Sequence, residues 1–247
     1  MALWTQAVNL QWQPELKYFE GRTKFLRDLE SEDLLTAFRW RGNSLEVRIG
    51  EFEFLTIGVA RARLDVLSPQ ASGDRIRTAV KIALELFAPR DVVMRPMHLR
   101  YLLPVSDDAS LTQVRTAQLV ANEIGNGASD WALLVDGHSG ELDTDYQVEY
   151  GIVSQGEMAV RLAGRISRVN SGNNEVEQTV DLEGLPACGV FLDVDWGFSH
   201  PFGTEDVYDQ AESIWRSAVA EGELMAHRIA VRLNAVSDEH DETGAEA

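Results

Sequence analysis

Cysteine is nearly absent from this 247-residue chain, with Cys188 the single example. One thiol excludes an intrachain disulfide and any all-cysteine cage for zinc or an iron–sulfur cluster. Long apolar runs are missing too, and none approaches the ~20 residues a bilayer-spanning helix needs. The opening residues Met-Ala-Leu-Trp-Thr-Gln have neither the basic start nor the apolar core of a secretory leader. A cytoplasmic location, without membrane association, is therefore expected. There is no Gly-x-Ser-x-Gly elbow, phosphate-cradling P-loop or dinucleotide fingerprint, and no organic cofactor is expected.

Positive charge is scarce in one half only. Residues 1–103 hold 15 Lys/Arg against 13 Asp/Glu, a net of +2, whereas residues 104–247 hold 7 against 27, a net of −20. The last eleven residues, SDEHDETGAEA, contribute five of those acids and read as a disordered, solvated tail. A negative field of this size opposes contact with nucleic acid or anionic lipid through the second half. It suits solubility, mimicry of a nucleic acid, a partner protein with a basic surface, or self-association with the arginine-bearing half of another copy.

What is present is alternation between strand and helix periods. An extended, Trp/Gln-rich start precedes a helix from Pro14 to about Leu29, with Leu16, Phe19, Phe25, Leu26 and Leu29 as its apolar positions. Gly42-Asn43-Ser44 separates two arms of a hairpin, and Glu51–Ala60 and Arg61–Leu67 alternate as further strands. Arg39 and Arg41 share one strand face and Arg61 and Arg63 another. Ile76, Ala79, Val80, Ala83, Leu84 and Phe87 form the stripe of a helix that stops at Pro89. The run from Asp91 to Val105 reads as a long strand, where Pro96 calls for an edge position or a bulge. Leu111–Ile124 has helical spacing.

The second half repeats this order. Trp131–Val135, a turn at Asp136–Gly140, Tyr146–Val153, Met158–Val169 and Val176–Leu182 read as antiparallel sheet. A buried strand, Gly189–Val194, leads through a Gly/Pro/Ser/His loop to a helix capped by Thr204. Its stripe is Val207, Tyr208, Ala211, Ile214, Trp215, Ala218 and Val219, with Gly222 a candidate break. Leu64-Asp65-Val66 and Leu192-Asp193-Val194 stand at the same point of each repeat. The expected fold is α+β, two related units of antiparallel sheet covered by helices and packed as one body. The units are 1–105 and 129–236, with a connecting helix in 106–128 and the tail at 237–247.

Asp193 and Asp195 are the candidate metal ligands. Residues two apart on a strand point the same way, so both carboxylates could meet Mg²⁺ with His200 nearby, as in a phosphotransfer enzyme or nuclease. No basic residue close in sequence stands ready for a phosphate, and the structural alternative is one capping and one solvated acid. No metal is therefore expected. The run Asp136 to Asp145 is rich in oxygen atoms but departs from the calcium-loop pattern at His138 and Gly140, and reads as a hairpin turn. Asp136, Asp143, Asp145 and Glu149 are instead the candidate interaction residues. His98 is a lone strand histidine, expected to be a hydrogen-bonded structural group. Cys188 lies among apolar neighbours and reads as an inert thiol.

Two stretches carry a family resemblance. HLRYLLPV (98–105) resembles the central strand, and FLDVDW with the Ile214/Trp215 helix and LMAHRIAVRL resembles the closing strand and helix, of an uncharacterised, sporadically distributed family of bacterial cytosolic two-repeat proteins. An Asn usual in that family just after the Arg-Tyr strand is replaced here in the region of Pro104. The resemblance implies a two-repeat α+β fold and no particular activity.

The residues lead first to a non-catalytic binding protein with an acidic partner-binding surface, such as an antitoxin, immunity or phage-defence component. The alternatives are a metal-dependent enzyme built on Asp193 and Asp195, and a small-molecule binder in the groove between the units.

Overall fold

The computed structural model of the protein describes residues 2–106, 132–154, 188–198 and 206–243, together with Gly156, Met158, Leu185 and Phe202. In chain order the elements are β1 (Ala2–Gln11), α1 (Lys17–Ser31), β2 (Ala37–Arg41), β3 (Ser44–Arg48), β4 (Glu53–Gly58), β5 (Arg61–Val66), α2 (Asp74–Phe87), β6 (Val93–Ser106), β7 (Ala132–Ser139), β8 (Thr144–Ser154), β9 (Cys188–Trp196) and α3 (Val207–Thr243). The expected helix at Leu111–Ile124, the strands expected across 159–182 and the cap Thr204 lie outside the described residues.

Among the described residues, nine strands join one antiparallel sheet in the order β2-β3-β4-β5-β1-β6-β9-β8-β7. The fold is α+β, and β5-β4-β3 on one side of the β1–β6 pair correspond to β9-β8-β7 on the other, with β2 added at one end. Val8 opposite Leu64 matches Tyr101 opposite Leu192. Phe54 opposite Asp65 matches Glu149 opposite Asp193. Arg48 opposite Phe54 matches Leu134 opposite Glu149. A pseudo-two-fold axis through the β1–β6 pair relates the two halves of the sheet, so Leu64-Asp65-Val66 and Leu192-Asp193-Val194 occupy equivalent strand positions. Even the irregularities obey the axis. One register shift falls between Leu3 and Thr5, and its mate falls between Ala7 and Asn9 opposite Arg95 and His98. Pro96 sits at the second, so a central strand accommodates it by a bulge, and Asn9 Nδ2 donates to the Pro96 carbonyl at 3.0 Å.

The helices pack on one face of this sheet. On β5 the alternate residues Ala62, Leu64 and Val66 are buried under them, with Val8 and Leu10 of β1, Leu99 and Tyr101 of β6, and Leu192, Val194 and Trp196 of β9. On α2 the buried residues are Ile76, Ala79, Val80, Ala83, Leu84 and Phe87, the full stripe read from the spacing. On α1 the stripe differs from expectation: Tyr18 is buried while Leu16 is 77% and Phe19 39% exposed. The Tyr18 hydroxyl donates to the Ile57 carbonyl at 3.1 Å, which lets the phenol enter the core, where burial pushes its pKa up to about 12. The acidic end of the sequence also departs from expectation, because α3 continues to Thr243 through the first part of the anticipated tail. Gly222 does not interrupt this helix.

The expected turn at Asp136–Gly140 is displaced. Asp136, Gly137 and His138 belong to β7, and the chain reverses over Gly140–Asp143, with Asp143 at φ +45°. Gly137 can stay in a strand because the ring of Tyr146 lies directly over it; a Cβ there would come within 2.6 Å of Cε2. Tyr146 is held in turn by Trp196, edge to face at 5.1 Å.

Glu53 on β4 is a buried acid on the helix-bearing face, 5% exposed. Backbone N–H groups of Gly73 and Ile76, at the start of α2, point to its carboxylate, and Arg75 is close, while Oε1 has no hydrogen-bond partner. The N-cap Gly73 offers no side chain, so a strand supplies the anion that the positive end of the helix attracts. Burial outweighs these gains and raises the pKa of Glu53 above the ordinary carboxylate value. The folded state therefore binds the proton more readily than the unfolded chain. Stability from this group is complete below the unfolded pKa of about 4.3 and falls as pH rises through the folded value. Glu53→Gln should raise the melting temperature near pH 7 and give no gain below about pH 4, as calorimetry at the two pH values would read. A loss at both would mean that the bonds to α2 outweigh burial.

Candidate functional site

Alternation along the strands sends the other set of side chains to the face turned away from α1, α2 and α3, and this set is mostly polar. At one end it includes Arg39 and Arg41 on β2, Glu46 and Arg48 on β3, Thr56 and the buried Phe54 on β4, and Arg61, Arg63 and Asp65 on β5. Arg39/Arg41 and Arg61/Arg63, read from sequence as two separate strand faces, thus share one sheet face. Glu46 receives both Arg39 and, at 3.2 Å, Arg41. Asp65, 3% exposed, is held by Arg63 from its own strand, with Nε to Oδ2 at 2.8 Å and Nη2 to Oδ1 at 2.7 Å. That bond raises the Arg63 pKa further.

At the centre, Arg100 of β6 stands directly opposite Asp193 of β9, and the guanidinium clasps the carboxylate with Nε to Oδ1 and Nη2 to Oδ2. Both side chains are 9% exposed. Next to them His98 stands opposite Asp195, and its Nδ1 meets Oδ1. Asp193 and Asp195 do point the same way, as strand spacing requires, but each carboxylate engages its own basic partner on β6. Among the described residues no group of three or more His, Cys, Asp and Glu is placed to hold a metal ion. His200 lies outside the described residues, and so does the Cys188 side chain.

The far end is acidic. Asp136 on β7 accepts from Gln147 Nε2 at 3.0 Å, and Asp145 on β8 accepts from His138 Nδ1 at 2.9 Å. Asp143, in the turn, is 3.8 Å from His138 Nε2. The side chains of Asp143 and Asp145 are 84% and 89% exposed. Glu149, half-buried on β8, lies across from Asp193. The four interaction candidates therefore gather at one end of the sheet: Asp136, Asp145 and Glu149 on its face and Asp143 on the adjoining turn. One corner of this face is apolar: Trp4, Leu102 and Phe191 are buried with Met158 and Leu185.

Spacing in sequence did not reveal His98 and Arg100 as partners of Asp195 and Asp193. They stand 97 and 93 residues away, and only the β6–β9 register brings them together. The strand parts of the two stretches that carry the family resemblance, HLRYLLPV and FLDVDW, are these neighbouring strands.

On the helix-bearing side, Arg77 of α2 and Trp215, Arg216 and Val219 of α3 line a groove of about 570 Å3. Trp215 forms one wall, donating from Nε1 to the buried Gln6 amide oxygen at 2.8 Å, with the Arg77 guanidinium 5.3 Å over its ring. Arg77 is itself tied to Asp74, whose carboxyl is held below its usual value by the hydrogen bond to Ser72 and then by Arg77.

No protein-family model matches the chain. No curated protein matches it either. Among solved structures it is similar to a rolling-circle replication initiator protein from Geobacillus stearothermophilus, with TM-score 0.31 and 10% identity over 86% of this chain and 78% of that one. A likeness at that level carries no functional argument.

Proposed function

We propose that the protein is a non-catalytic binding protein whose acidic sheet end, β7 to β9, meets a basic surface on a partner, in the manner of an antitoxin, immunity or defence component acting in the cytoplasm. One observation supports the reading above the others. The carboxylates that a metal-dependent enzyme would need, on Asp193 and Asp195, are engaged by Arg100 and His98, whereas Asp136, Asp143 and Asp145 stand at the surface. Among the described residues no helix is long and apolar enough to cross a membrane.

Exposed charges act over a Debye length of about 8 Å at physiological salt, so they govern encounter more than residence. The test begins with a pull-down from the native host and continues with surface-binding kinetics on the captured partner. The association rate should fall steeply with added salt and drop about tenfold in the Asp136→Lys/Asp145→Lys variant, with the dissociation rate little changed. An association rate indifferent to salt and to both reversals would leave the acids with a solubilising role and remove the reading's support. A stoichiometric Mg²⁺ or Mn²⁺ isotherm lost on Asp193→Ala would promote the enzyme alternative instead.

A further inference from the structure

The edge strand β2, at the opposite end of the sheet from the acidic cluster, has features that the acidic-surface reading does not use. Its neighbour on one side is β3, and no described strand pairs with its outer edge. Six large apolar side chains are exposed among the described residues, and four of them lie on β2, α1 or the residue before α1: Phe38 at 40%, Trp40 at 44%, Phe19 at 39% and Leu16 at 77%. A cluster at a strand edge differs from the scattered exposure that every surface shows.

The aromatic rings at this edge are held in place. Phe38 and Trp40 meet edge to face at 6.3 Å. The Arg22 guanidinium from α1 lies 4.6 Å over the Trp40 ring and 5.7 Å from that of Phe19. Such stacking keeps a tryptophan raised and rigid at the surface at low entropic cost, a property of binding hot spots. On the other side of the same strand stand Arg39, 11% exposed, and Arg41, 44% exposed, which share Glu46, the single acid on these two strands, and β3 adds Arg48. The strand thus shows aromatic rings on one side and guanidinium groups on the other, along a backbone edge able to pair.

We propose that β2 is a strand-addition site for an extended acidic segment of a partner protein. A segment alternating acidic and apolar residues would pair with the outer edge, lay its apolar side chains on Phe38 and Trp40, and turn its carboxylates toward the exposed Arg41. Pairing of two β2 edges from two copies is disfavoured, because an antiparallel match sets the arginines of one copy beside those of the other. The site is separate from the acidic end, so its success or failure is independent of the basic-partner reading.

The test uses the full chain and short fluorescein-labelled peptides read by fluorescence anisotropy. One peptide alternates Asp with Ile or Val, a second replaces Asp by Lys, a third keeps the first composition with the acids grouped in a block, and a fourth is the first with alternate amides N-methylated. The first should bind saturably and at least about tenfold tighter than the other three. Trp40→Ala and Arg41→Gln should each weaken it about tenfold or more while leaving the thermal melt close to that of the parent. Both side chains are well exposed, so folding should survive. Absence of saturable binding at millimolar peptide overturns the proposal. Equal binding of the N-methylated peptide overturns it as well, since backbone pairing would then play no part. Equal binding of the lysine or block peptide removes the charge and alternation on which it rests.

Discussion

Arg100→Met is expected to destabilise the protein by roughly 3–5 kcal/mol, the largest effect of any single substitution on the polar sheet face. The change leaves Asp193 as a charge in a site where its side chain is only 9% exposed. Desolvation, not the lost attraction, makes the loss large: the carboxylate must remain buried without its bidentate partner. Removing both charges in Arg100→Met/Asp193→Leu should restore most of the stability, since apolar groups of similar size fill the same space without an ionic cost. The neighbouring pair behaves differently. His98 and Asp195 are 30% and 40% exposed, so His98→Ala should cost no more than about 1 kcal/mol. Urea titration of the four proteins with a common slope gives these values. A loss below about 1 kcal/mol for Arg100→Met would show that water reaches Asp193 and that the pair is a surface feature.

Gly222→Ala should also destabilise, although the residue lies inside a helix. Helix propensity alone predicts a gain of about 1 kcal/mol for this change. The site reverses the sign. The buried side chain of Tyr101 packs against the backbone of α3, and a Cβ on residue 222 would run into its hydroxyl oxygen and stand 2.9 Å from both Cε2 and Cζ. The ring has no room to retreat, because it is fully buried and its hydroxyl donates to the Val219 carbonyl at 3.0 Å. Burial, with Glu223 nearby, holds the phenol well above its usual pKa, so it remains a donor throughout the ordinary pH range. Overpacking of this kind costs about 1–3 kcal/mol, to which the strained hydrogen bond adds. The net expectation is a loss of about 1–3 kcal/mol, partly recovered in Gly222→Ala/Tyr101→Phe, where the ring is freed from its anchor. A measured gain in stability would place α3 farther from β6 than the packing described here.

Periodicity by itself carried much of the architecture. The α2 stripe from Ile76 to Phe87, the hairpin about Gly42-Asn43, and the paired strand-and-helix units around Asp65 and Asp193 follow from local rules of spacing and turn chemistry. These depend on residues within a few positions of each other, so one sequence contains them. The same rules misplaced Leu16 and Phe19, because burial of Tyr18 depends on a carbonyl of β4 that lies far along the chain. They read Gly222 as a helix break because they cannot register the ring of Tyr101 pressed against it.

The sequence also determined that Asp193 and Asp195 share a strand face, since alternation is a property of one strand. It could not determine what those carboxylates meet. Arg100, His98 and the acids of β7 and β8 reach that face through strand register, and register is set by the whole sheet: the turns, the bulges at Trp4 and Pro96, and the fit of the apolar side under three helices. Charge totals likewise showed an acidic second half, but only the pairing order separated the arginines and the acids to opposite ends of one surface. Local geometry is encoded by near neighbours, whereas the partner of a charged group is chosen by which strands lie side by side, and that choice belongs to the packed sheet.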